Sequence, residues 1–241
     1  THTMPIQKSE QPAFLPRKRQ TLTRVLNEAR LAFSKHGLAG ARIDDIARAA
    51  GVTKQLIYHY FSDKEDLFSS VLDASVQDVL ANLLTLDLDH LPPTQAMRVL
   101  LEHSFDQYRM HPALSALAQE SLRQHELDAR HINRFTQIAP ILIRMMDSIL
   151  RRGEANGEFV SGVDARLFCA ASGLLTTGGF TSSYIVSTLA GFDTTTPEGS
   201  SAWRRYSVDF VMGTVLKRNH PPRQHLPTDP TTLRNIKTIT T

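Results

Sequence analysis

Apolar residues recur with helical spacing along nearly the whole chain. Leu22, Val25, Leu26, Ala29, Ala32 and Phe33 follow the i, i+3, i+4, i+7 rule of a helix with one buried face. His36-Gly37 ends that helix, glycine being suited to the left-handed C-terminal position. A second helix is predicted from about Ile43 to Ala49, with Ile46 and Ala47 facing inward. Ala50-Gly51-Val52 makes a tight turn into a third, Thr53 to Tyr60. Thr53 is suited to cap it, because its hydroxyl can accept an orphaned backbone N–H. Val52, Leu56, Ile57 and Phe61 are its expected anchors. Two short amphipathic helices around a glycine turn have the layout of a helix-turn-helix.

Ser62-Asp63-Lys64-Glu65 reads as a capping box, with Ser at the cap and Glu three residues on. The helix it starts carries Leu67, Phe68, Val71, Leu72, Val76, Val79, Leu80 and Leu83 at helical spacing, and Leu91-Pro92-Pro93 ends the run. Further helices are expected at about 95–110, 113–126, 130–153, 163–190 and 198–218. No segment alternates with period two between hairpin turns, so the class is all-α. Residues 1–19, with three prolines, read as a flexible basic arm, and 219–241, with four, as a flexible tail. The domains are then 20–66 for the helix-turn-helix and 67–218 for a helical body.

Composition narrows the class further. Hydrophobic residues at 41% and charged residues at 21% suit a globular protein with one substantial core or two modest ones. No run of about 18 apolar residues stands out, so no membrane partner is expected. Thr1-His2-Thr3-Met4-Pro5 has no apolar stretch of the kind that marks a secretory signal. Cys169, alone, cannot form an internal disulfide, which fits a reducing cytoplasm. Net charge is +3, but it is unevenly spread: +4 over 1–66, −5 over 67–216 and +4 over 217–241. A polyanion would therefore meet the ends, although charged tails also serve solubility.

The third helix carries the chemistry. Thr53 and Lys54 stand at its N-terminus, where backbone N–H groups and the helix dipole favour a phosphate oxygen. Gln55 is long enough to hydrogen-bond a base edge, most naturally adenine. Tyr58 and His59, one turn on, can reach a phosphate or a thymine methyl, and Arg42 and Lys64 would flank the groove. Arg17-Lys18-Arg19 reads either as an arm for an adjacent minor groove or as a solubilising tail.

The order of the whole segment resembles the DNA-binding domain of the TetR family of bacterial transcriptional regulators. The matching residues are Ala32 to Gly40, Ile43-Asp44-Asp45-Ile46-Ala47, Ala50 to Lys54, Ile57-Tyr58-His59-Tyr60-Phe61 and Lys64-Glu65-Asp66-Leu67. The resemblance implies a three-helix reader followed by a helical-bundle ligand-binding and dimerisation domain. It implies a homodimer on a palindromic operator in double-stranded DNA, most often a repressor released by a small-molecule effector. Carried over by position, Thr53, Tyr58 and Lys64 contact phosphates, while Gln55 and His59 stand where base contacts vary. Members often have Ser or Thr where this chain has Ala41 and Arg42, so a hydroxyl cap is lost and a guanidinium gained. Release is expected to work by a ligand-driven shift of the helix carrying residues 64–83.

In the body, Ala170, Ala171, Gly173, Leu174, Leu175, Gly178 and Gly179 form a small-residue face, and Trp203, Tyr206, Phe210, Val211 and Val215 a bulky stripe. Either a packed core or a dimer interface would use them. Candidate ligand contacts are His103, Tyr108, Glu120, Arg134, Phe135, Cys169 and Thr176, each of which also reads as an ordinary core or surface residue. An enzyme is disfavoured: there is no phosphate-binding loop, nucleophile elbow or dinucleotide fingerprint. His125-Glu126 lacks the second histidine of a zinc-protease helix, His131 lying six residues on. No cofactor or metal is called for. The rival readings are an all-α enzyme and a helical adaptor without specific DNA binding.

Overall fold

A computed structural model describes residues 14–128 and 133–217. The expected tail 219–241, residues 1–13 of the arm, and His131 lie outside the described residues. Among those described there are ten α-helices and no β-strand, only an isolated antiparallel bridge between Phe159 and Leu216. The chain divides into two compact units, one ending at Ala74 and one beginning at Ser75.

The first unit holds α1 (Phe14–Gly40), α2 (Ile43–Ala50), α3 (Lys54–Tyr60) and the start of α4 (Lys64–Leu84). α1 packs on α2, and α2 on α3. Helix begins earlier than the apolar pattern shows: Arg17-Lys18-Arg19 lie on α1 and not in a non-helical arm. Near its end, Gly37 leaves the helical region at φ 65°, ψ 177°, where the sequence places the stop. Val25, Ala29 and Phe33 are buried from α1, Ile43, Ile46 and Ala47 from α2, Ile57 from α3, and Leu67 and Phe68 from α4. Phe33 and Phe68 meet edge to face at 5.1 Å.

The capping of α4 is shifted by one residue. Asp63, not Ser62, accepts the Asp66 N–H at 2.7 Å, and the Asp66 carboxylate reaches back to the Ser62 N–H at 2.9 Å. An aspartate pair does the work expected of Ser62 and Glu65 because the helix starts at Lys64. By length and composition α4 is long and apolar enough to cross a membrane, which the sequence reading did not pick out. Its Leu67, Phe68, Val71, Leu72, Val76 and Leu83 are buried within the protein.

The second unit continues with α5 (Pro93–Met110), α6 (Pro112–Leu127), α7 (Ala139–Ala155), α8 (Ala165–Thr181), α9 (Ser183–Ala190) and α10 (Pro197–Val215). α5 is central, packing on α6, α7, α8 and α10. Met97, Leu100 and Leu101 of α5 join Ile149, Phe168, Val208 and Met212 in one buried cluster.

Two expected helices are each divided. The one at 130–153 is a 3-10 turn, Arg134–Gln137, then α7, because Pro140 has no N–H to give and fits only the first turn of an α-helix. The one at 163–190 breaks at Ser182 (φ −134°, ψ 38°) into α8 and α9. Before the break, the hydroxyls of Thr176 and Thr177 bond back to the carbonyls of Ser172 and Gly173, which weakens a helix. Gln119 Nε2 then donates to the Thr181 carbonyl freed at the end of α8.

Glu158, in the turn after α7, accepts from both the N–H (3.0 Å) and the hydroxyl (2.7 Å) of Thr94. Arg152 donates to the carbonyls of Leu88, Asp89 and Leu91, fixing the approach to α5. Between them, the Phe159 ring occupies the space of the side chain that Gly153 lacks, so that a Cβ there would clash with the ring. Gly153→Ala should therefore lower the unfolding free energy by about 3 kcal/mol, the upper range of overpacking. Urea denaturation of the variant checks this, and an unchanged midpoint would contradict it.

Candidate functional site

The candidate reading surface is built on a seven-residue helix, too short to persist alone. Three devices hold α3. Gly51 turns the chain in the left-handed region (φ 65°, ψ 39°), its N–H capping α2 on the carbonyls of Ala47 and Arg48. The Thr53 hydroxyl accepts the Leu56 N–H at 3.2 Å, the N-cap the sequence indicates. Ile57 is fully buried, and Phe61 nearly so.

With Ile57 inward, Gln55, Tyr58 and His59 stand exposed at i, i+3 and i+4 on the opposite face. The Thr53 hydroxyl, accepting in the cap, keeps its own proton to donate. Arg42 is exposed at the N-cap position of α2 in extended backbone, and its side chain makes no cap bond, as expected from the missing hydroxyl. Asp44 and Asp45 in the first turn of α2 supply the favourable charge there instead.

Two of the seven candidates have partners that the sequence did not indicate. Lys54 Nζ lies 3.1 Å from Oδ1 of Asp44, pinning the start of α3 to α2. Both side chains are about half exposed, so the pair is weak and a phosphate can compete for the lysine. Lys64 Nζ donates to the carbonyls of Ala39 and Ala41, each at 3.2 Å, tying the start of α4 to the link between α1 and α2. Lys64 is thus a structural clamp with one remaining donor, not a freely projecting cation. From α1, Lys18 Nζ lies 5.4 Å from the centre of the Tyr60 ring. These links join residues far apart in sequence, beyond the reach of helical periodicity.

The seven candidate ligand contacts are not brought together. His103 and Gln107 on α5 pair at 3.2 Å, and Gln107 accepts from Asn82 of α4 at 3.3 Å. Burial pushes the His103 imidazole below its usual pKa, opposed by the Asp106 carboxylate. Glu120 holds Arg123 through two nitrogens, at 2.7 and 2.9 Å. Arg134 and Phe135 form part of the 3-10 turn. Cys169 is half-buried, and burial raises its thiol pKa, while the buried Thr176 hydroxyl is spent on the Ser172 carbonyl. Tyr108 alone of the seven lines a cavity of about 660 Å³ among α5, α6, α8, α9 and the start of α10. Burial raises the Tyr108 pKa, keeping its phenol protonated and a donor at neutral pH.

Comparison with known proteins agrees with this layout. Residues 25–71 match the family described as bacterial regulatory proteins of the tetR type, and 93–211 match the tetracyclin repressor-like C-terminal domain. The chain belongs to the TetR family. Among TetR relatives, the HTH-type transcriptional repressor NicS of Pseudomonas putida is 34% identical over 141 residues, 58% of this chain and 66% of that protein. The match thus spans just under two thirds of that relative's length. The fold is shared with a transcriptional regulator from Saccharomonospora viridis, crystallised with choline (TM-score 0.69, 16% identity, 83% of this chain and 100% of that one). It is shared too with FadR of Bacillus subtilis, crystallised with stearoyl-CoA (TM-score 0.60, 20% identity, 80% of this chain and 98% of that one).

The Lys64 clamp has a consequence in the absence of DNA. Two charge-assisted bonds to backbone carbonyls are lost in Lys64→Met, which should destabilise the protein by about 1–3 kcal/mol. Thermal unfolding checks this, and a melting temperature equal to the parent's would show the clamp to be idle.

Proposed function

We propose that this TetR-family protein is a homodimeric repressor that reads a palindromic operator with α3 and is released by a small-molecule effector. The observation that carries the reading is the division of α3, with Ile57 buried beneath it and Gln55, Tyr58 and His59 presented on one outer face. Thr53, Tyr58 and Lys54 supply grip on phosphates, with Arg42 and the remaining donor of Lys64 at the flanks. Gln55 and His59 supply choice among bases. The +4 charge over residues 1–66 favours approach to a polyanion. A cytoplasmic location fits an operator-binding protein.

Dimerisation is supported by an apolar face in the second unit. On α8, Leu167 is 71% exposed and Leu174, two turns on, 78%, and on α10 Tyr206 and Phe210 remain exposed as well. Between these helices Ala171, Leu174, Phe210 and Val211 line a groove of about 420 Å³. Contiguous exposed apolar surface of this kind marks an interaction site. A second copy of the same face fits the isologous contact of a two-fold dimer. Two heads then fix two half-sites about 34–36 Å apart, or multiples of that distance. An effector releases the operator only by preferring the conformation that binds DNA poorly. The fold's occurrence in proteins crystallised with choline and with stearoyl-CoA supports a pocketed, ligand-taking body.

Leu174→Glu should convert the dimer to monomer in light-scattering chromatography and abolish tight operator binding. A variant that stays dimeric would remove this face from the interface. Selection of bound genomic fragments should return a palindrome, with affinity falling at least about a hundredfold between 50 and 200 mM salt. Tyr58→Ala should weaken binding to every sequence, whereas Gln55→Ala should relax preference at one position per half-site by about 1–3 kcal/mol. Equal affinity for the selected site and random duplex would overturn the reading.

A further inference from the structure

The cavity of about 660 Å³ has the size of a small-molecule site and a distinctive lining. One wall is aromatic: Tyr108 and Phe180 stack at 5.9 Å between centroids, 23° from parallel, with Phe105 4.8 Å behind Phe180. Another part of the lining, before and at the start of α10, is hydroxyl-rich. There Ser200 is 7% exposed, and its Oγ has no hydrogen-bond partner among the described residues. One turn on, Trp203 Nε1 is likewise buried without a partner. It lies behind Gly179, a lining residue, 3.0 Å from where a Cβ would stand. Buried donors without partners are rare in folded proteins and call for an explanation.

Charge selects the ligand further. Among the described residues that line the cavity, Arg109 is the one charged side chain at neutral pH. Its Nη2 is 3.0 Å from Asp106, whose carboxylate is already held by Nε and Nη2 of Arg204 at 3.2 and 3.0 Å. Arg109 is thus the cation of this cluster that reaches the cavity, with further donors to offer. Among the described residues no acidic side chain lines the site, which disfavours a cationic ligand. A single guanidinium, shared with Asp106, leaves a phosphate dianion undercompensated. The polar wall suits a compact head better than a long acyl chain.

We propose that this cavity binds a small planar-ring monocarboxylate, its ring against Tyr108 and Phe180 and its carboxylate between Arg109 and the donors of Tyr108 and Ser200. As the effector site, it rests on the reading of the protein as a ligand-released repressor. Sequence reasoning found Tyr108 but not the others, because Arg109 looks like a surface charge and Ser200 like a helix-start residue.

Trp203 is the single tryptophan of the chain, so its emission reports on this wall. Benzoate, 2-naphthoate and indole-3-acetate are titrated against their neutral amides, with melting temperature as a second readout. At least one acid should bind saturably and raise the melting temperature, with its amide about tenfold weaker or worse. Arg109→Gln should weaken the acid about tenfold, and Ser200→Ala several-fold. Both variants should retain the parent's circular dichroism. Absence of any saturable change up to about 10 mM, amides equal to acids, or variants binding like the parent would each overturn the proposal. DNA affinity is measured in parallel. Acid binding that leaves operator affinity unchanged would overturn the effector role of the cavity. Failure to bind any DNA without acid would overturn the repressor reading alone and leave the carboxylate site standing.

Discussion

The outer face of α3 depends on one buried side chain. A seven-residue helix in water pays the full cost of nucleation and returns only a few hydrogen bonds. α3 exists because Ile57 is driven out of water beside Phe61, in a unit whose interior is otherwise built by α1, α2 and the start of α4. Burial of one such side chain is worth about 1.5–3 kcal/mol, comparable with everything else that holds the helix. The Thr53 cap adds about 1 kcal/mol, and the Lys54–Asp44 pair less. With Ile57 fixed inward, 3.6-residue geometry leaves Gln55, Tyr58 and His59 no choice but the outer face. The exposure of these three side chains is therefore a by-product of anchoring.

The polar residues of this head are of two kinds, and the structure separates them. Gln55 projects from the outer face of α3, and His59 beside it meets the Tyr60 ring edge to face at 5.3 Å. Lys64 is engaged by the carbonyls of Ala39 and Ala41, and Lys54 by Asp44. A cation that bridges to a carbonyl or carboxylate in the free protein is already oriented when a phosphate arrives. Its gain on binding DNA is smaller, because one partner is exchanged for another, but less side-chain freedom is lost.

Helical class, the glycine stops at Gly37 and Gly51, the Thr53 cap and the inward face of each head helix were all legible in the sequence, because each rests on residues within about four positions of one another. What escaped has a different range. The Lys54–Asp44 and Lys64 contacts bridge turns between helices, and no local period encodes them. The capping of α4 slipped by one residue because Ser62 and Asp63 are both good caps, and only the helix start at Lys64 chooses between them. The division of the 163–190 region turns on Thr hydroxyls competing for carbonyls, a weak bias that apolar spacing does not register. Of the seven candidate ligand contacts, only Tyr108 reached the cavity, since a cavity's lining is set by how five elements meet and not by any one of them.

The same distinction of range bears on how a ligand could govern grip. α4 is a helix of 21 residues, rising about 30 Å, and the division between the two units falls within it, after Ala74. At its first residue, Lys64 is tied to the Ala39 and Ala41 carbonyls of the head. Near its last turn, Asn82 donates to Gln107, which pairs with His103, all in the second unit. Tyr108, the next residue of α5 after Gln107, lines the cavity. A ligand that moves this end of α5 therefore acts one residue away from a polar contact to α4. Leu83, buried beside Asn82 in the core cluster, makes that contact costly to slide gradually, because close-packed side chains exchange between discrete arrangements.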